Sequence, residues 1–151
     1  MQSVARKWGE ATFQTRVGSD RTRGQLSIVE TVSRPGSGPP RHVHEREDET
    51  FVILSGRMEL MIGGRTITAG PGDTVFAPRG VEHAFRVVGE DPCRHLVIFN
   101  PGGCESFFDA MIEGQFRIPR DMDGISETAA TFGIRFTGPP MAVNTKERIR
   151  R

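Results

Sequence analysis

Eighteen glycines and ten prolines punctuate this chain of 151 residues, cutting it into short β-favouring runs joined by tight turns. The runs fall at Ala11 to Val17, Gln25 to Val32, Thr50 to Leu54, Arg57 to Ile62, Thr66 to Thr68, Thr74 to Ala77, His83 to Val88 and His95 to Phe99. Strands this short and this numerous predict an all-β jelly-roll barrel, two sheets closed around one core. Between Met58 to Ile62 and Arg65 to Thr68, the pair Gly63-Gly64 has the length of a tight hairpin loop. Ser33 to Pro40 and Gly138 to Pro140 read as loops.

Beyond Pro101-Gly102-Gly103 the periodicity changes. Phe107 with Met111 and Phe108 with Ile112 are i,i+4 pairs, the apolar stripe of a short helix ending near Gly114. A second short helix is expected over Ile125 to Phe132, with Asp123 at its start and Gly133 at its end. A chain of this length forms one domain burying about two thirds of its unfolded surface. Its expected parts are an N-terminal arm and strand (1–24), a barrel (25–100), a helical extension (101–140) packed outside the barrel and a fraying basic tail (141–151).

Twenty basic residues balance nineteen acidic ones, so no broad field favours nucleic acid or an anionic membrane, and a small molecule is the expected partner. Two cysteines, Cys93 and Cys104, are too few for a disulfide-stapled scaffold. No apolar stretch approaches membrane-spanning length, and the N-terminus lacks the pattern of a signal peptide. A cytoplasmic protein is the expectation.

The chemistry concentrates in histidines and carboxylates. On a strand, the i,i+2 spacing of His42 and His44 points both imidazoles to one face, where they can share an ion. Glu49 shares a face with Phe51 and Ile53, while Thr50, Val52 and Leu54 take the other; a carboxylate in such an apolar run is costly unless a cation compensates it. Glu45, Glu47 and Asp48 compete for the same role. His83, after the turn Ala77-Pro78-Arg79-Gly80, adds a fourth donor at a strand start beside Phe85 and Val87. Three imidazoles and a carboxylate suit one divalent transition metal, with Fe, Mn, Ni, Co, Cu and Zn all compatible.

The segments Gly36-x5-His42-x-His44-x4-Glu49-x6-Gly56 and Gly72-x5-Pro78-x-Gly80-x2-His83 resemble the two motifs of the cupin family. The resemblance implies that His42, His44, Glu49 and His83 are the metal ligands, and its spacing singles out Glu49 among its acidic neighbours, which it leaves as a solvated loop. The departure is Val87, where the second motif often ends in Asn. The stretch from Pro101 through Phe107-Phe108 to Gly138-Pro139-Pro140 is also similar to small single-domain cupins of the quercetin 2,3-dioxygenase-like kind. That likeness implies an oxidoreductase, a dioxygenase in which a flavonol-like or other phenolic or enolic substrate binds the metal, Glu49 takes its proton and dioxygen attacks. It also implies a homodimer built by exchange of Ala11 to Val17.

Two other classes fit the same residues. A non-oxidative isomerase, cyclase or lyase would use the metal to polarise a carbonyl and Glu49 or His95 to move a proton; a binding module would hold a small molecule without turnover. Elsewhere, His95 reads as a strand-end residue, Arg79 and Glu82 as turn residues, and neither cysteine has a role. Phe51, Ile53, Phe76, Phe85, Val97 and Phe99 alternate as candidate pocket or core residues.

Overall fold

Alternation of side chains along the strands decides what the interior contains, and the computed structural model describes it for residues 3–142. The strands are β1 (Arg6–Trp8), β2 (Ala11–Val17), β3 (Ser27–Ser33), β4 (Pro40–His44), β5 (Asp48–Ser55), β6 (Arg57–Ile62), β7 (Arg65–Ala69), β8 (Thr74–Ala77), β9 (His83–Val88), β10 (Cys93–Asn100) and β11 (Ile134–Pro140). Every second residue of β3, β5 and β10 turns inward: Val29 and Thr31, Glu49, Phe51 and Ile53, then His95, Val97 and Phe99. These strands belong to a six-stranded sheet in the order β1-β2-β3-β10-β5-β8. It faces a five-stranded sheet, β11-β4-β9-β6-β7, whose pairings are all antiparallel. The two sheets form an all-β jelly roll, as expected from the sequence.

Three strands exceed the expectation. β4 carries Val43 as its one aliphatic residue, on the face opposite His42 and His44, so hydrophobic alternation does not announce it. β11 ends in Gly138-Pro139-Pro140, read above as a loop; an edge strand tolerates prolines because its outward N–H groups need no partner. β1 adds a short outer edge beside β2. β2 itself pairs with β3 of its own chain, Phe13 opposite Thr31. The hairpin of β6 and β7 forms around Gly63-Gly64 with Ile62 opposite Arg65.

Two helices follow, α1 (Glu105–Glu113) and α2 (Met122–Thr131). Phe107 and Met111 of α1 are buried, and Phe108 stacks on Phe13 with centroids 4.6 Å apart. In α2, Ile125 and Ala129 face the core. Its helix begins earlier than expected, with Asp121 rather than Asp123 at the N-cap position, and Gly133 follows its end at φ +74°. Both helices add to one apolar core with the barrel. Phe76 corrects the pocket expectation: β8 turns Val75 and Ala77 inward, leaving Phe76 55% exposed. The tail from Lys146 to Arg151 lies outside the described residues. None of the described helices is long and apolar enough to cross a membrane.

Candidate metal centre

Strand geometry assembles the donors from three places in the chain. β4 presents His42 and His44 at i,i+2, β5 presents Glu49 at its start, and β9 presents His83 directly opposite His42. The imidazole centroids lie 4.4 Å apart for His42 and His83, 5.0 Å for His42 and His44, and 5.3 Å for His44 and His83. Glu49 Oε2 reaches both His83 Nε2, at 2.8 Å, and His44 Nε2, at 3.1 Å. All four residues are buried, with one donor atom from each within 4.8 Å of the others. The sequence-derived set therefore converges on one point.

Outer hydrogen bonds aim the rings. His42 Nδ1 lies 2.7 Å from the Pro40 carbonyl and His83 Nδ1 lies 3.2 Å from the Val81 carbonyl. A carbonyl can only accept, so each Nδ1 faces an acceptor for its proton, an arrangement that suits Nε2 to the role of ligand atom when an ion is bound. His44 Nδ1 instead meets Glu47 Oε1 at 2.6 Å. This corrects the sequence reading of Glu47 as solvated: it is buried beside His44, whereas Glu45 pairs with Arg135 and Asp48 with Arg79 at the surface. The missed signal was the i,i+3 spacing from His44, which lets the β4–β5 turn fold the carboxylate back.

Electrostatics separates His42 from His44. Burial, reinforced by the neighbouring imidazoles, pushes His42 down to about 3. Burial also opposes charge on His44, but the charge of Glu49 and hydrogen bonds that the ring donates to Cys104, Glu47 and Glu49 outweigh it and raise His44 well above its ordinary value. For Glu49, desolvation is overcome by His44 and His83, which hold the carboxyl well below the usual range. An imidazole ligates in its neutral form and a carboxylate in its ionised form, and a cation bound here would take over from the proton on His44 in offsetting the burial of Glu49. The residues present thus fit a divalent transition metal.

Other candidates fall around this centre. His95 is not at a strand end: it is fully buried within β10, its ring against Phe85 and Phe51. Burial pushes it down to about 4. Cys104, given no role from sequence, lies with Sγ 4.0 Å from His44 Nδ1, and burial pushes its thiol up to about 11. Cys93 is also a buried free thiol. Val87 packs in the core, its N–H donating to Ser37 and its carbonyl accepting from Gly36, so backbone bonds fill this motif position. Arg79 is a surface turn residue, as expected, bound to Asp48 and to the Asn100 carbonyl. A cleft of about 570 Å³ between β2 and α1 is lined by none of the four donors.

An antiparallel double-sheet barrel thus carries on its inner face a buried three-histidine, one-carboxylate cluster that could hold a metal ion. Residues 29–99 match the family described as Cupin domain. The structure of KdgF from Halomonas sp. matches 68% of this chain and 90% of its own at a TM-score of 0.62 and 19% identity, a likeness of fold. The polyketide cyclase RemF from Streptomyces resistomycificus matches 66% of this chain and 72% of its own at a TM-score of 0.54 and 29% identity. A curated relative, "Polyketide synthase CurC" of Streptomyces cyaneus, is 27% identical over 90 residues, 60% of this chain and 57% of its own. The chain spans about half the length of the curated relatives it matches. The barrel of this chain, residues 29–99, is a cupin domain.

Proposed function

We propose that this cupin is a metal-dependent enzyme for a phenolic or enolisable small molecule, with His42, His44, Glu49 and His83 as ligands and Glu49 as proton acceptor. The convergence of all four donors within 4.8 Å carries this reading. A bound divalent ion would polarise a substrate carbonyl or enol oxygen. Oε2 of Glu49 engages the two imidazoles, which leaves Oε1 to receive a proton. Phe99, 5.7 Å from the His44 ring, and Phe51, 6.2 Å from that of His83, supply an apolar wall for an aromatic ring.

Ring closure without oxidation is the reaction we favour, supported by the likeness to a polyketide cyclase. Glu49 would remove a proton from a carbon between two carbonyls. The electron pair left there forms a carbon–carbon bond to a second carbonyl of the same molecule, and the proton returns to the resulting alkoxide oxygen. No external oxidant is needed.

The dioxygenase reading stands as the second, supported by the three-histidine, one-carboxylate donor set, which suits redox-active ions as well as zinc. One assay separates the two: metal-loaded protein is given an aromatic polyketone or a flavonol in air and under strict anaerobiosis. Turnover without oxygen supports cyclisation, whereas oxygen consumption matched to product supports oxygenation. Unchanged substrate recovered from a tight complex in both atmospheres would reduce the protein to a binder. Absence of metal from protein purified without chelator and reloaded with each candidate ion would overturn both.

A further inference from the structure

We propose that Glu47 is a positioning residue for the metal ligand His44, a role that rests on the metal-centre reading above. Its oxygen lies 2.6 Å from Nδ1, and the side chains of His44 and Glu47 are only 5% and 6% exposed. That separation is characteristic of a charge-assisted hydrogen bond. The three rings are therefore anchored unequally. His42 and His83 lean on neutral backbone carbonyls, whereas His44 leans on a carboxylate. A carboxylate behind Nδ1 holds that nitrogen protonated, turns Nε2 toward Glu49 and makes the ring a stronger donor to an ion. Oriented by Glu47, His44 is the ligand whose basicity the protein sets through a side chain.

The same corner holds a competing arrangement. His44 Nδ1, Glu47 and Cys104 also form a buried group of three donors within 4.8 Å. Geometry favours the hydrogen bond. Nδ1 and the Glu47 oxygen stand 2.6 Å apart, at hydrogen-bond distance, whereas Cys104 Sγ lies 4.0 Å from Nδ1. Cys104 packs against the pair at the start of α1 and binds nothing in this scheme.

Cobalt(II) serves as the probe, read by chelator competition and by its visible ligand-field spectrum on the whole chain. Wild type should bind one ion. Glu47→Ala should weaken binding about 10- to 100-fold and shift the spectrum. Glu47→Gln, which preserves volume and an oxygen acceptor, should lie between the two and remains informative if the alanine variant fails to fold. Wild-type affinity and spectrum in Glu47→Gln and Glu47→Ala would overturn the role while leaving the metal centre intact. Two ions in wild type, with one lost in Cys104→Ala, would overturn it in favour of a second site. No cobalt in wild type would instead remove the metal centre itself, and the role of Glu47 with it.

Discussion

Glu49 Oε2 and His83 Nε2 lie 2.8 Å apart across the two sheets, although 34 residues separate them in the chain. β5 belongs to the six-stranded sheet and β9 to the five-stranded one, so the centre fastens one face of the barrel to the other. A single lost donor opens a buried polar cluster as well as a coordination position.

His42→Ala and His83→Ala should each abolish stoichiometric metal, measured by elemental analysis after gel filtration. Glu45→Gln should leave it bound and shift stability by less than about 0.5 kcal/mol, because Glu45 pairs with Arg135 at the surface. Metal loss in Glu45→Gln would remove the distinction drawn among the acidic neighbours.

His95 makes stability depend on acid. Folding lowers it from 6.5 to about 4, so the unfolded chain takes up a proton first as pH falls below 6.5, and the native state loses stability until about pH 4. The loss amounts to about 2 to 3 kcal/mol by pH 4.5. His95→Leu should remove that part of the difference between urea unfolding at pH 7 and at pH 4.5. An unchanged difference would mean that the buried ring does not resist protonation.

Gly56 sits at φ +78°, and a Cβ there would lie 2.3 Å from the Pro92 carbonyl oxygen. Gly72, at φ +89°, has open space around the same position. Gly72→Ala should therefore cost about 1 to 2 kcal/mol for conformation alone, and Gly56→Ala distinctly more. Equal costs by chemical denaturation would show that the loop at Pro92 moves aside freely.

Met111 is fully buried where α1 meets the barrel. Met111→Ala should destabilise the whole domain by about 2 to 5 kcal/mol in a single unfolding transition. A separate early transition would instead mark the helices as an independent unit.

The N-terminal strands lie at the edge of the six-stranded sheet, where a second copy could pair. We expect a homodimer, with a light-scattering mass near twice 16.7 kDa. A mass near 16.7 kDa itself would rule it out.

What could be read from sequence was local. Gly63-Gly64 set a hairpin, Phe107 and Met111 set a helix face, and the spacing of His42 and His44 set a shared direction, each within a few residues. What escaped depends on distant neighbours. β4 is a strand largely because β11 pairs with it, and no alternation in Pro40–His44 or Gly138-Pro139-Pro140 says so. Glu47 looked like one more charge in an acidic run because its partner lies across a turn. His95 looked terminal because its burial comes from Phe51 and Phe85 on other strands, beside a register shift between Arg94 and His95. Phe76 kept its apolar identity but not its inward direction.

The pairing of β4 has a consequence in time. β4 joins β9 only at His42 opposite His83, yet β11 runs along it from Ile134 opposite His44 to Pro140 opposite Pro40. The strand bearing two of the four ligands is therefore braced by residues translated some ninety positions later. A ribosome emits a chain from its N-terminus. A nascent chain halted after the helices would have every donor and yet lack the brace, so any capture of an ion would wait until β11 has been made.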